Sequence, residues 1–246
     1  MKNLFKTFAC LWACVATSVM AAEAEGLIEQ NLKKVDARIV VKEIGDAPLT
    51  GLREVELNSG EVLYADDKGE YFLIGKLYRF TDKEGFVDLT ERKKSAQRKV
   101  QMADLDEEQL VVYKPKGEVK ATVNIFTDVD CPYCRKLHAE IPALNEQGVQ
   151  VNYLAYPRNG TGTGTFKSMV SIWCAEGAEG RRQAMDQAKS GIRPAVKTCD
   201  NPVLDQLQLG QSVGVTGTPA IIFEDGRLYP GYAPAQQLVN LLDLEK

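Results

Sequence analysis

The sequence predicts a small α+β N-terminal domain joined by a linker helix to an α/β domain that carries a helical insertion. Three observations predict this. Short β-like runs crowd residues 37–80, separated by turn residues. A highly charged, helix-like stretch follows over residues 89–105. From about Gln109 onward, strand and helix patterns alternate.

The first 22 residues read as a signal peptide. Lys2 and Lys6 supply positive charge, residues 8–19 an apolar core, and Met20-Ala21-Ala22 a small-residue cleavage site, so the mature chain starts near Glu23. Cys10 and Cys14 leave with this segment. The apolar core is too short to span a bilayer, and no later stretch approaches about 18 uninterrupted apolar residues.

Residues 23–86 form the expected N-terminal dimerisation domain. A short amphipathic helix over residues 27–35 precedes β-like runs at Arg38-Ile39-Val40-Val41 and at residues 52–57, 61–64, 71–74 and 76–80. Asn58-Ser59-Gly60, Asp66-Asp67-Lys68-Gly69 and Gly75 read as turns between them. So small a sheet buries little apolar area by itself, and pairing with a second copy is the natural remedy.

Residues 87–108 are the expected linker helix, with Asp88 as N-cap. Arg92, Lys93, Lys94, Arg98 and Lys99 leave only a thin apolar stripe through Leu89, Ala96, Val100 and Ala103. That pattern fits a solvated connector between domains.

Residues 109–246 alternate. The strand Thr122-Val123-Asn124-Ile125-Phe126 leads into a helix that runs to about Gln147, in which Pro142 should produce a kink near His138 and Ala139. A strand over residues 149–154 follows, then helices near residues 166–176, 180–189 and 203–213. The strand Ala220-Ile221-Ile222-Phe223, a turn, a short strand at Leu228-Tyr229 and a helix from Pro234 close the chain. This order is that of a thioredoxin-like domain with a helical insertion.

The chemistry concentrates at Cys131-Pro132-Tyr133-Cys134, at a strand-to-helix junction. The first sulfur there lies among unpaired backbone N–H groups at the positive end of the helix dipole, and both favour the reactive thiolate. Of the six cysteines, four survive removal of the leader. Proximity pairs Cys131 with Cys134, which leaves Cys174 with Cys199 as a structural clip suited to an oxidising compartment.

Other chemistries are weaker. A formal net charge of −4 without a broad basic face argues against nucleic acid. Zinc held by Cys131, Cys134 and His138 would lack a fourth ligand, so no metal or cofactor is expected. His138, the sole histidine, reads as a packing residue rather than a proton shuttle. Tyr133, Tyr156, Phe166 and Trp173 are candidates for an apolar client surface, with Phe166 and Trp173 equally suited to the core. Gly160-Thr161-Gly162-Thr163-Gly164 reads as a flexible loop, because no Gly-Lys-Ser/Thr follows it.

Several segments together resemble the DsbC/DsbG family of periplasmic thiol:disulfide interchange proteins, nearest to the DsbC branch. They are residues 127–138 around the cysteine motif, Tyr153-Leu154-Ala155-Tyr156-Pro157-Arg158, Ile172-Trp173-Cys174-Ala175 and Gly214-Val215-Thr216-Gly217-Thr218-Pro219-Ala220. The hairpin at residues 58–64 and the run at residues 110–114 match as well. The resemblance implies a V-shaped homodimer and a cis Thr218-Pro219 bond packed against the cysteine motif. It implies Cys131 as attacking thiolate, Cys134 as resolving thiol and Cys174–Cys199 as structural bridge. Pro132, Tyr133, Thr218 and Pro219 would shape the site and bind substrate. The implied activity is isomerisation or reduction of wrong disulfides in exported proteins, with electrons from a DsbD-type membrane thiol reductase. One departure is Pro132-Tyr133 where that branch usually has Gly-Tyr. It favours one other reading, a DsbG-like reductase protecting single oxidised cysteines; a third is a holdase chaperone, in which the cleft matters and the cysteines are secondary.

Overall fold

A computed structural model describes residues 24–244, so the leader segment with Cys10 and Cys14 lies outside the described residues. Two compact units divide the chain between Thr90 and Glu91.

In the first unit a helix over residues 24–35 (α1) lays Ile28 and Leu32 against Val55, Leu57, Leu63 and Ala65. These belong to an antiparallel sheet in the order β1-β2-β3-β4, formed by Val41–Asp46, Arg53–Leu57, Val62–Ala65 and Phe72–Ile74. The first strand starts later than the run Arg38-Ile39-Val40-Val41 suggests. The Asp36 carboxylate accepts from the Arg38 backbone N–H and its carbonyl from that of Ile39, which makes a turn where a strand was expected. A second hairpin joins β5 (Tyr78–Thr81) to β6 (Gly85–Asp88). The sequence reading lacks β6, because a single Phe86-Val87 pair carries no alternation to detect. Leu73 and Ile74 on edge strand β4, and Phe80 and Phe86 on the hairpin, remain exposed.

Helix α2 (Leu89–Ala103) follows. The expected apolar stripe is wrong: Ala96, Val100 and Ala103 are exposed, and the buried face is Thr90, Ser95, Arg98 and Met102. The reason is Arg98. Its guanidinium, only 5 % exposed, donates to the carbonyls of Val213 (2.8 Å) and Gly226 (3.1 Å) and pairs with Glu91 at 2.7 Å. A Cβ on Gly226 would collide with the Ser95 carbonyl oxygen, so the helix backbone rests directly on that turn. From Glu91 onward, α2 is docked on the second unit rather than solvated all round.

The second unit holds a five-stranded sheet in the order β11-β10-β8-β9-β7. β8 (Ala121–Thr127) and β9 (Val149–Ala155) run parallel, as the intervening helical crossover allows. β7 (Val111–Tyr113) and β10 (Ala220–Phe223) are antiparallel to them, and β11 (Leu228–Pro230) pairs with β10. The expected kink is a break: α3 (Pro132–Ala139) and α4 (Ile141–Glu146) meet at Glu140, with Pro142 in the first turn of α4. The insertion comprises α5 (Gly164–Trp173), α6 (Gly177–Lys189) and α7 (Val203–Ser212), and α8 (Ala235–Leu241) ends the fold. Thr163, read as part of a flexible loop, caps α5 by accepting from the Phe166 N–H. The core lies on both sheet faces, with Ile125, Val151 and Tyr153 among one set of buried side chains and Phe126, Leu154 and Ile222 among the other. This arrangement buries the C-terminal end of β8, which leads through a short turn into the cysteines at the start of α3.

Candidate active site

Cys131 caps α3 from an extended conformation, and its carbonyl accepts from the Arg135 N–H. Pro132 occupies the first helical position, where a missing N–H costs nothing and the fixed φ suits the helix. Cys131 and Cys134 are free thiols, 2 % and 1 % exposed, while Tyr133 between them is 62 % exposed. Opposite lies the Thr218-Pro219 peptide bond, which is cis. The Cys131 thiol donates to the Thr218 carbonyl at 3.2 Å. The buried Thr218 hydroxyl makes no close hydrogen bond among the described residues, yet it faces the two sulfurs and favours their ionised forms.

The two sulfurs differ electrostatically. Burial pushes the Cys131 thiol up, but the Thr218 hydroxyl, the Cys134 backbone N–H and thiol, and the Arg158 guanidinium outweigh it, so its net direction is down. For Cys134 burial prevails and the direction is up, although the Lys189 ammonium and the hydroxyls of Thr218 and Thr127 oppose it. Cys131 is therefore the more readily ionised of the two thiols, and Cys134 holds its proton longer.

Three further groups build this site, and the sequence reading gave none of them a role. Asp128, almost fully buried, accepts from the Asp130 N–H (2.7 Å), the Arg158 N–H (3.1 Å) and Arg158 Nε (3.0 Å), and so ties the turn before Cys131 to the end of β9. Lys189, at the end of α6, is 5 % exposed and donates from Nζ to Thr127 Oγ1 (2.6 Å) and the Asp128 carbonyl (3.1 Å). Nothing in the sequence separates Lys189 from the other lysines. Asp128 and Arg158 did fall inside the segments that carried the family resemblance.

His138 is drawn away from the cysteines. Its Nδ1 lies 3.2 Å from the Tyr153 hydroxyl and its Nε2 3.1 Å from Asp186. Burial and the Lys189 charge push it down to about 4 against the pull of Asp186, so it is neutral at physiological pH and serves packing. Tyr156 and Trp173 are also structural: the former donates to the Val215 carbonyl (2.7 Å), the latter to that of Gln109 (2.7 Å). Of the four aromatic candidates, Tyr133 presents its ring to solvent beside the cysteines, and Phe166 is partly buried against the core. A 730 Å³ pocket lies behind α3, bordered by Tyr113, His138, Pro142 and Asp186, but neither thiol lines it. Cys174 and Cys199 form a disulfide that closes the insertion. Among the described residues no group of three or more His, Cys, Asp or Glu is placed to hold a metal ion, and no helix is long and apolar enough to cross a membrane.

Comparison with known proteins covers both units. Residues 17–91 match the model of the disulfide bond isomerase protein N-terminal domain, and residues 106–246 that of a thioredoxin-like domain. The chain is 35 % identical to the thiol:disulfide interchange protein DsbC of Escherichia coli K12, over 99 % of this chain and 96 % of that protein. It is 32 % identical to DsbC of Haemophilus influenzae, over 99 % and 98 %. A linker-deletion mutant of Proteus mirabilis ScsC superposes with a TM-score of 0.50 at 22 % identity, over 62 % of this chain and 82 % of that one, a likeness of fold.

Proposed function

This chain belongs to the DsbC family of thiol:disulfide interchange proteins, and from that premise we propose that it rearranges incorrect disulfides in exported proteins through Cys131. The observation that carries the reading is the asymmetric thiol pair: Cys131 is depressed at a helix N-terminus beside Thr218, and Cys134 is raised behind it.

In the proposed cycle the Cys131 thiolate attacks one sulfur of a client disulfide. A Cys131–client disulfide forms and the other client sulfur leaves as a thiolate with the bonding pair. That thiolate can attack a different client disulfide; when a client thiolate finally attacks the client sulfur bound to Cys131, the enzyme is released unchanged, which is isomerisation. Alternatively the Cys134 thiolate attacks Cys131. The Cys131–Cys134 bond forms, the client leaves reduced by two electrons, and the enzyme needs a two-electron dithiol donor before the next turn. A membrane thiol reductase of the DsbD type fits that need. The exposed ring of Tyr133 and the backbone flanking Pro219 offer an extended client apolar contact and strand-like pairing.

Periplasmic residence follows from this reading and from the leader-like residues 1–22. A homodimer follows from it too, since Leu73, Ile74, Phe80 and Phe86 give the first unit an apolar surface that a second copy would cover. A client carrying scrambled disulfides, incubated with the Cys134→Ser variant, should accumulate a reducible covalent complex that is absent when Cys131 is also replaced. No complex with Cys131 intact would overturn the assignment. The Pro132-Tyr133 pair supports a second reading, reduction of single oxidised cysteines. Faster turnover of a sulfenylated client than of a scrambled one would favour it.

A further inference from the structure

The insertion delivers one buried cation to the cysteine pair. Lys189 is the last residue of α6, and its ammonium lies beneath the active-site turn, 5.4 Å from the Tyr153 ring centre. It donates to Thr127 Oγ1 at 2.6 Å and to the Asp128 carbonyl at 3.1 Å. A buried ammonium carries a large desolvation cost, and packing alone would be served better by an apolar residue of the same length. Thr127 is fully buried at the end of β8, four residues before Cys131, and its hydroxyl is among the groups that favour the Cys134 thiolate against burial. A hydroxyl that accepts from an ammonium is polarised, which strengthens its own donation to a thiolate.

We propose that Lys189 is a positioning residue for the resolving step: acting through the Thr127 hydroxyl, it stabilises the Cys134 thiolate and so sets how quickly a client–Cys131 disulfide is resolved. Its neighbours sort the effect. Burial brings the ammonium down to about 8 against the pull of Cys134, Asp128 and Cys131, with Arg135 adding to the fall, so it is still mostly charged at neutral pH. His138, the other titratable base nearby, is neutral there. Arg158 faces both sulfurs as well, so what sets Lys189 apart is its hydrogen bond to the Thr127 hydroxyl.

In the step concerned, the Cys134 thiol gives its proton to solvent and its thiolate attacks Cys131. The Cys134–Cys131 bond forms, the Cys131–client bond breaks, and the client thiolate takes the electron pair and is then protonated. Slower resolution lengthens the life of the mixed disulfide and favours isomerisation over reductive release.

This inference rests on the exchange chemistry proposed above, and one experiment separates the two. Reduced full-length protein is mixed in stopped flow with one equivalent of dithionitrobenzoate across a pH series. The first thionitrobenzoate released reports Cys131 attack, the second Cys134 resolution. In Lys189→Met the second phase should slow about threefold to tenfold at neutral pH, with its profile moved up by about one pH unit. The first phase should change less than the second. Thr127→Val should reproduce the effect and Thr127→Ser, which keeps the hydroxyl, should not, so the Thr127 pair decides the matter if Lys189→Met does not fold. A second phase whose rate and pH profile are the same in Thr127→Val and the parent overturns the inference alone. Absence of the first phase in the parent overturns the exchange chemistry and this inference with it.

Discussion

Asp128 Oδ2 accepts from Arg158 Nε at 3.0 Å and from the Arg158 backbone N–H at 3.1 Å, so a single buried carboxylate fixes the guanidinium that favours the Cys131 thiolate. The charge near the attacking sulfur is thus set by the turn just before it and by the residues just after β9, two segments that the sheet brings together.

Removing that cation should weaken the nucleophile. Arg158→Met is expected to raise the Cys131 pKa and to slow its alkylation by iodoacetamide several-fold at neutral pH. Alkylation rate against pH measures both effects, and an unchanged midpoint would show that Arg158 only braces the turn. Asp128→Ala should cost about 3 kcal/mol in urea unfolding, because three donors lose a buried acceptor.

The buried, neutral His138 gives stability a pH dependence of definite sign. Its folded value of about 4 lies below the ordinary value of 6.5. As pH falls from about 6.5 to about 4, the unfolded chain takes up a proton that the folded chain refuses. Stability is therefore complete above that window and falls within it, by up to about 3 kcal/mol. The difference between the parent and His138→Gln unfolding free energies should shift by that amount across the window. A pH-independent difference would mean that His138 titrates normally in the fold.

Arg98 and Gly226 should prove as important to folding as any apolar core residue. Arg98→Ala strands two buried carbonyls and Glu91, at a cost of about 3 kcal/mol. Gly226→Ala must push α2 off the turn and should lower the thermal midpoint by many degrees, since φ there is +83° and Ser95 leaves no room for a methyl group. A near-parental midpoint for Gly226→Ala would mean that α2 moves freely on this unit.

The disulfide of the insertion closes a loop of 25 residues. Replacing Cys174 and Cys199 together by alanine should cost about 3.5 kcal/mol on the chain-entropy account. Reactivity of Cys131 with dithionitrobenzoate should survive in the fraction that remains folded.

The contrast between α2 and α3 shows what a sequence discloses. At α3 the strand pattern, the cysteine spacing and Pro132 all act locally, so the position and polarity of the site could be read directly. Residues 149–154, where Val149, Val151 and Tyr153 alternate with Gln150 and Asn152, and the apolar run 220–223 were legible for the same reason. In α2 the buried residue is an arginine, and its partners are carbonyls 115 and 128 residues away. Hydrophobic periodicity is blind to a buried guanidinium, so it points to a stripe through Val100, which is exposed. Lys189 escaped for the same reason. Its role depends on Thr127, 62 residues earlier in the chain.

The central claim is that Cys131 performs disulfide exchange on misfolded clients. Its most direct test is recovery of native activity from a client whose disulfides have been scrambled, followed with the reduced parent, Cys131→Ser and Cys134→Ser. Rapid recovery is expected with the parent, partial recovery with Cys134→Ser, where isomerisation persists but stalled adducts are not resolved, and none above background with Cys131→Ser. Recovery by Cys131→Ser at the parental rate would contradict that claim.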